Sequence, residues 1–266
     1  MEIGPGTRAL VTGASRGIGR ATAEALAARG ARVALQARTL ADLEALAAAL
    51  PGEGHASVAG DVGDAGEAAR CVEAAIAALG GLDLVVSNAG VAHYKPVRLQ
   101  PLDEIEEMTR VNWLGTVHVV RAALPHLLGR ANGHIVIVSS GSALRSMPSG
   151  AAYAATKAAQ QAFGEALRHE LSGSGVDVTV VFPGQIATGL HDHERATMPD
   201  FYLPEDQAAS AAGLADVIVA GIEAGARGVY YPRNVRLLRA ANGVSPQGAD
   251  RLLRALRGPS IAPRTD

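Results

Sequence analysis

The chain has 266 residues, 48% of them hydrophobic and only 3% aromatic, with a formal net charge of −2. That balance gives no electrostatic footing to a nucleic acid or an anionic membrane as partner. The single cysteine, Cys71, excludes an internal disulfide and a cysteine-based metal cluster, so a reducing cytoplasm is the expected setting.

The N-terminus, MEIGPGTRALVTG, lacks a basic region followed by a long apolar run, so no signal peptide is expected. No stretch approaches the ~20 apolar residues of a membrane span. In chain order, the first strand is expected at RALVT (8–12), followed by the glycine-rich turn TGASRGIG and a helix near 17–29. The next strand candidate is RVALQA (32–37), and a helix follows at 40–50. HASVAG (55–60) precedes a helical pattern at 65–79, and LDLVVS (82–87) precedes a long one at 102–129. HIVIVSS (134–140) leads to a helix at 151–172, and DVTVVF (177–182) to an irregular segment and a helix at 205–223. GVYYP (228–232) is the last strand candidate, and a final helix is expected at 247–257. Strands apolar on both faces and separated by helices imply a parallel sheet covered on both sides. The expectation is a single doubly wound α/β domain over 1–258. It includes a lid at about 185–205, a C-terminal extension at about 233–258 and a frayed tail at 259–266.

The glycine turn carries the first chemistry. Strand, turn and helix near the start of an alternating chain form the context of a dinucleotide site. Gly13 has access to dihedrals closed to other residues. Gly17 and Gly19 let the backbone approach a pyrophosphate at the positive end of the helix. The second strand ends Gln36-Ala37-Arg38, without the carboxylate that a ribose diol prefers. Arg16 lies within the turn. Two guanidinium groups favour a 2′-phosphate, so NADP(H) is expected over NAD.

Only two lysines occur, Lys95 and Lys157, against 22 arginines. Lys157 follows Tyr153 by one helical turn, which puts both on one helix face. TGASRGIG, Asp61-Val62, Ser87-Asn88-Ala89-Gly90, Asn112, Ser140, Tyr153 with Lys157, and Pro183-Gly184 stand in the order and spacing of the short-chain dehydrogenases/reductases. The sequence resembles that family over about residues 5–235. The resemblance implies one Rossmann domain with a seven-stranded parallel sheet.

It also implies roles. Asp61 resembles the acid that contacts the adenine. Gly13, Ser15, Arg16, Gly17, Ile18, Gly19, Arg38, Val62, Asn88, Ala89 and Gly90 fall on the cofactor segments. Asn112 resembles the asparagine whose main-chain carbonyl holds a relay water. Ser140 resembles the substrate-orienting serine, Tyr153 the general acid/base and Lys157 its partner. Pro183, Gly184, Ile186 and Thr188 resemble the stretch that faces the nicotinamide and diphosphate. The double asparagine usual before Ala-Gly is here Ser87-Asn88. Family spacing selects Ser140 from Ser139-Ser140-Gly141-Ser142.

The implied reaction is reduction of a ketone to an alcohol, or the reverse, with a nearby ammonium lowering the phenol's ordinary pKa of about 10. Two other readings share these residues: a reaction without net redox, such as epimerisation or dehydration, and a non-catalytic NADP-binding protein. Expected substrate contacts are His93, Tyr94, Ser142, Leu144, Met147, Gln185, Phe201 and Tyr202, beside Ser140 and Tyr153. The aromatic-rich 189–203 stretch reads either as a lid over an apolar ligand or as side chains sealing that segment to the body. His191 and His193 lack a third ligand at helical or strand spacing, so no metal is expected. The resemblance further implies a homo-oligomer, a tetramer or a dimer built on helices 102–129 and 151–172. The alanines of the second helix fit that pairing or the sheet equally.

Overall fold

The computed structural model describes residues 1–191, 205–245, 247–248 and 251. Seven parallel strands form one sheet: β1 (Arg8–Thr12), β2 (Arg32–Ala37), β3 (Ala56–Ala59), β4 (Leu84–Ser87), β5 (Gly133–Val138), β6 (Val176–Pro183) and the final strand (Gly228–Tyr231). Two short strands, β7 (Ile186–Ala187) and β8 (Ala209–Ser210), pair separately, so the final strand is β9. The order across the large sheet is β3-β2-β1-β4-β5-β6-β9. The seven strands lie where the sequence places them, to within two residues at each end.

The strands read as continuous apolar runs because both faces are covered. Successive residues alternate between two cores, as the pleat requires. Val11, Leu35, Val86 and Val136 enter one core with Leu26, Leu43 and Ile218. Leu10, Ala34, Val85 and Ile135 enter the other with Val72, Leu127 and Leu167. Each fully buried leucine contributes about 1.5–3 kcal/mol. Helices α1 (Gly17–Ala27), α2 (Leu40–Ala49) and α3 (Ala65–Leu79) follow the first three strands. α3 starts on Asp64, whose carboxylate accepts from Glu67 N at 2.8 Å, and stops at Gly80 with φ 71°.

Three expectations need correction. The pattern at 102–129 is not one uniform helix. It is α4 (Leu102–Met108), a wide π turn at Thr109–Leu114, and α5 (Gly115–Arg130). Tertiary hydrogen bonds to Asn112 hold the wide turn, and periodicity does not report those. The pattern at 205–223 contains a 3-10 turn (Glu205–Gln207) and β8 before its helix, which starts at Ala211 because Ser210 Oγ accepts from Gly213 N at 3.1 Å. After α6 (Gly141–Leu144), α7 (Ala151–Glu170) and α8 (Ala211–Glu223) comes a helix that the sequence reading does not place, α9 (Asn234–Val244), before the expected 247–257. Val235 anchors α9 by packing with Leu144, Val180 and Phe182. Of residues 247–257, only 247, 248 and 251 lie within the described set, and they are helical. The expected tail at 259–266 lies outside it. None of the described helices is long and apolar enough to cross a membrane.

Strand order reverses between β1 and β4: β2 and β3 lie on one side, β5 and β6 on the other. In an open α/β sheet, ligands bind in the crevice outside the carboxyl ends of the strands at such a switch point.

Candidate active site

At that crevice the loops after β1 and β4 are tied together. Thr12 Oγ1 accepts from Asn88 N at 3.0 Å and Ala89 N at 3.1 Å. Asn88 Nδ2 donates to Thr12 O at 2.9 Å. Ser87, in place of the usual asparagine, turns inward and donates to Thr116 Oγ1 at 3.1 Å. Gly13 has φ +64°, and a Cβ there would sit 2.8 Å from Ala89 Cα. A Cβ on Gly19 would lie 2.3 Å from Gly13 O and 2.5 Å from Asn88 Nδ2. These glycines bring α1 against the β1 turn. No side chain caps the α1 N-terminus, and its first turn carries no acid. Its N–H groups therefore open onto the crevice.

A cavity of about 980 Å³ runs from this turn along the strand ends. Ser15, Arg16, Gly17, Ile18, Arg38, Asp61, Val62, Asn88, Ala89 and Gly90 line one part of it. Ser140, Ser142, Tyr94, Met147, Tyr153 and Lys157 line another, together with Pro183, Gly184, Gln185, Ile186 and Thr188. Gly19 does not line the cavity and acts through packing.

Asp61 is held by Gly63 N at 2.8 Å and by Arg110 Nη1 at 2.6 Å. Burial works against its charge, but the guanidinium and the N–H win and hold the carboxyl below its ordinary range. Gln36 is 2% exposed and donates to Gly60 O at 2.6 Å. Its Oε1, in the cavity wall, has no hydrogen-bond partner. An uncapped helix start, a glycine cradle and an orphaned buried acceptor fit a dinucleotide with its phosphates at α1.

At the other end, β5 delivers the serines. Ser139 Oγ donates to Lys157 O at 2.7 Å and is spent on α7. Ser140 Oγ accepts from Ser142 N at 3.1 Å, which leaves its own proton for another acceptor. Tyr153 is 6% exposed and Lys157 4%. Burial pushes the Tyr153 phenol up to about 12, while hydrogen bonds with Ser140 and Tyr94 pull it partly back. Lys157 Nζ donates to Val138 O at 3.0 Å and stands 5.7 Å from the Tyr153 ring centroid. Burial holds its pKa down to about 7. The phenol is therefore shifted up by burial, against the lowering expected from a neighbouring ammonium.

Asn112 is fully buried. Its side chain accepts from Val91 N at 2.8 Å and donates to Val91 O at 2.9 Å. Its carbonyl, the expected anchor of a relay water, already accepts from Gln160 Nε2 and Thr116 Oγ1, each at 2.9 Å. His93 does not line the cavity. Its neighbour Tyr94 points inward, while the His93 ring turns out to Glu107 at 3.0 Å. Leu144 is also absent from the wall, because it packs into the core under α9. Phe201, Tyr202 and His193 lie outside the described residues. Among the described residues, no group of His, Cys, Asp and Glu is arranged to hold a metal.

Sequence reasoning missed Gln36, Asp42, Arg145 and Asn234 in the wall. Gln36 had a readable signal, a polar residue inside an apolar strand. The other three reach the cavity through tertiary packing alone.

A doubly wound parallel sheet with a dinucleotide-shaped crevice and a buried Ser-Tyr-Lys set defines an α/β oxidoreductase. The short chain dehydrogenase model matches residues 7–199, and the chain belongs to that family. An uncharacterized oxidoreductase of Myxococcus xanthus is 39% identical over 193 residues, 72% of this chain and 76% of that protein. Glycine betaine reductase ATRR of Emericella nidulans is 40% identical over 70% of this chain, which spans only 15% of that longer protein. Among solved structures, a short-chain dehydrogenase from Streptomyces avermitilis superposes with TM-score 0.81 at 26% identity, covering 95% of this chain and 99% of that one. An alcohol dehydrogenase from Thermococcus sibiricus complexed with 5-hydroxy-NADP gives 0.74 at 26%, over 84% and 95%. A 3-ketoacyl-(acyl-carrier-protein) reductase from Brucella melitensis complexed with NADH gives 0.76 at 28%, over 86% and 98%.

Proposed function

We propose that this chain is an NADP(H)-dependent oxidoreductase that interconverts a ketone and an alcohol, with reduction as the working direction. The observation that carries this reading is the continuity of one cavity from the uncapped α1 N-terminus to Ser140 and Tyr153. When bound, the nicotinamide supplies the hydride that adds to the carbonyl carbon. The backbone N–H groups of the glycine turn hold the pyrophosphate, and Arg16 and Arg38 hold the 2′-phosphate. Of the solved structures above, one is complexed with 5-hydroxy-NADP and one with NADH, so the preference rests on Arg16, Arg38 and the absence of an acid at position 37.

In the productive complex Ser140 donates its hydroxyl proton to the substrate oxygen and stabilises charge developing there. A phenol at about 12 is protonated at neutral pH, the state a proton donor needs. As the C=O π bond breaks, Tyr153 passes its proton to that oxygen, and C–H and O–H bonds form. Lys157 stands beside the phenol, where a compact amine fits and a broad guanidinium fits poorly. Met147 and Gln185 bound the substrate end.

The single, buried Cys71 supports a cytoplasmic setting. Exposed Leu102 and Leu114, with Trp113 packed edge-on against Phe163 of α7, support oligomerisation through the long helices. The decisive experiment follows NADPH absorbance over a panel of quinones, β-ketoesters, steroid-like ketones and aromatic polyketide-like ketones. Turnover is expected, and Tyr153→Phe is expected to lose most of it while binding NADPH nearly as well. Tight NADPH binding without turnover of any carbonyl, or near-normal turnover by that variant, overturns the reading.

A further inference from the structure

We propose that Tyr94 is a positioning residue of this site, its hydroxyl holding the Tyr153 oxygen at the point where the proton changes hands. The inference rests on Tyr153 being the acid, and it assigns Tyr94 a role other than the substrate contact that its place in the chain suggests.

Tyr94 leaves the loop after β4 and is 4% exposed. Its ring meets that of Tyr153 at 5.4 Å between centroids, tilted by 50°. On another side it meets the His191 ring edge-on at 5.2 Å. Ala92 and Met108 complete the cluster around the two phenols. Gly150, just before α7, lies against the ring: a Cβ built there would stand 3.5 Å from Tyr94 Cδ1, an ordinary contact distance. The ring is thus fixed from the β4 loop, α4 and the start of α7. A buried hydroxyl costs stability unless it is hydrogen-bonded, so a phenylalanine would pack here with less demand. The Tyr94 hydroxyl does find a partner in the Tyr153 phenol.

The need for it follows from proton counting. Once Tyr153 gives up its proton, a negative charge stands on a buried oxygen. Lys157 is 5.7 Å from the ring centroid and donates to Val138 O. Ser140 has one proton, and in the productive complex that proton goes to the substrate oxygen. Tyr94 then supplies the remaining hydroxyl donor to Tyr153. Among the described residues, the titratable groups on this side of the cavity are Lys157 from α7, Tyr94 backed by His191, and Arg145 beyond α6. His93, next in the chain, is turned away onto Glu107.

The test is Tyr94→Phe, which keeps the ring and removes the donor. In alcohol oxidation Tyr153 must start deprotonated, so loss of a donor to the phenolate raises the governing pKa. The rise of oxidation rate with pH is expected to move up by about 1 unit, and kcat to fall on the order of tenfold. KM for the carbonyl and Kd for NADPH should stay within about twofold. Tyr94→Phe added to Tyr153→Phe should slow the enzyme no further, because Tyr94 acts through Tyr153. An unmoved pH profile, a raised KM at unchanged kcat, or additive losses in the double variant overturn the proposal. If the wild-type protein turns over no carbonyl or alcohol, the parent reading fails separately. In that case the Cζ resonance of isotope-labelled Tyr153, which needs no substrate, decides. A resonance unchanged by Tyr94→Phe sinks the proposal, and a shifted one upholds the hydrogen bond.

Discussion

Gln160 donates its side-chain amide to the main-chain carbonyl of Asn112 at 2.9 Å, from α7 to the π turn between α4 and α5. The same amide donates to Thr116 Oγ1 at 2.7 Å, and Thr116 donates in turn to the Asn112 carbonyl. Both lone pairs of that carbonyl are therefore filled by protein. The Asn112 side chain, held in place by this arrangement, grips Val91 three residues before Tyr94. Gln160→Leu removes one of the two side-chain donors to this carbonyl, and Thr116 remains bonded to it. We expect a loss of about 0.5–1.5 kcal/mol, which at roughly 2–4 °C per kcal/mol is a measurable drop in Tm. Thermal unfolding at neutral pH checks it, and an unchanged Tm refutes the stabilising role of this contact.

Lys157 gives a pH dependence with a definite sign. Its folded pKa is held down to about 7 from an ordinary 10.5. Between those values the unfolded chain binds the extra proton, so stability rises with pH from about 7 to 10.5 as the buried amine becomes neutral. Below about 7 both states are charged, and the full cost of burying the ammonium is present. Lys157→Met removes that cost. The ligand-free variant is expected to be more stable than wild type at low pH, with the gap closing towards pH 10.5. Denaturant titrations of both proteins across that range check it, and a gap independent of pH contradicts the assignment.

Much of this site was legible because its chemistry lies in local strings. The glycine turn, Asn88-Ala89-Gly90 and Tyr153 with Lys157 each sit within a few residues, and the sheet follows from runs such as Val33–Leu35. What escaped depends on contacts between distant segments. The π turn exists because Gln160 and Val91 bond Asn112, and its periodicity is that of an ordinary helix. His93 and Tyr94 are both plausible cavity residues in the sequence, yet the extended loop sends only one inward. α9 was not legible because Val235 is buried under it by contacts with Leu144, Val180 and Phe182 from distant segments. The upward shift of the phenol is a property of burial, which spacing alone does not report.

The glycine cradle makes a contrast within one chain. Gly19→Ala drives a Cβ to 2.3 Å from Gly13 O, an overlap that the turn relieves only by moving. The expected cost is about 1–3 kcal/mol of stability, together with at least a tenfold weaker NADPH affinity. Gly129→Ala, near the end of α5, meets nothing within 4 Å. It should stabilise the chain by about 0.5–1 kcal/mol. Paired thermal unfolding and NADPH fluorescence titrations check both. Similar behaviour of the two variants would remove the close-approach account of Gly19.

Cofactor preference turns on the charges around the ribose end. Arg16 and Arg38 line it, with Asp42 and Asp61 as the acids. Asp61 is committed to Arg110 and Gly63 N, and Asp42 sits in the first turn of α2. On the proposed NADP(H) reading a 2′-phosphate would meet the guanidinium groups of Arg16 and Arg38, and no carboxylate stands at position 37 to repel it. Arg38→Asp replaces an attractive fork with a like charge. The ratio of kcat/KM for NADPH over NADH should fall by about 100-fold. The wild-type preference should also weaken as salt is added, while the variant's should respond little, because only the former rests on an exposed ion pair. An unchanged ratio in Arg38→Asp would leave the 2′-phosphate without a partner at this position and shift the whole preference onto Arg16.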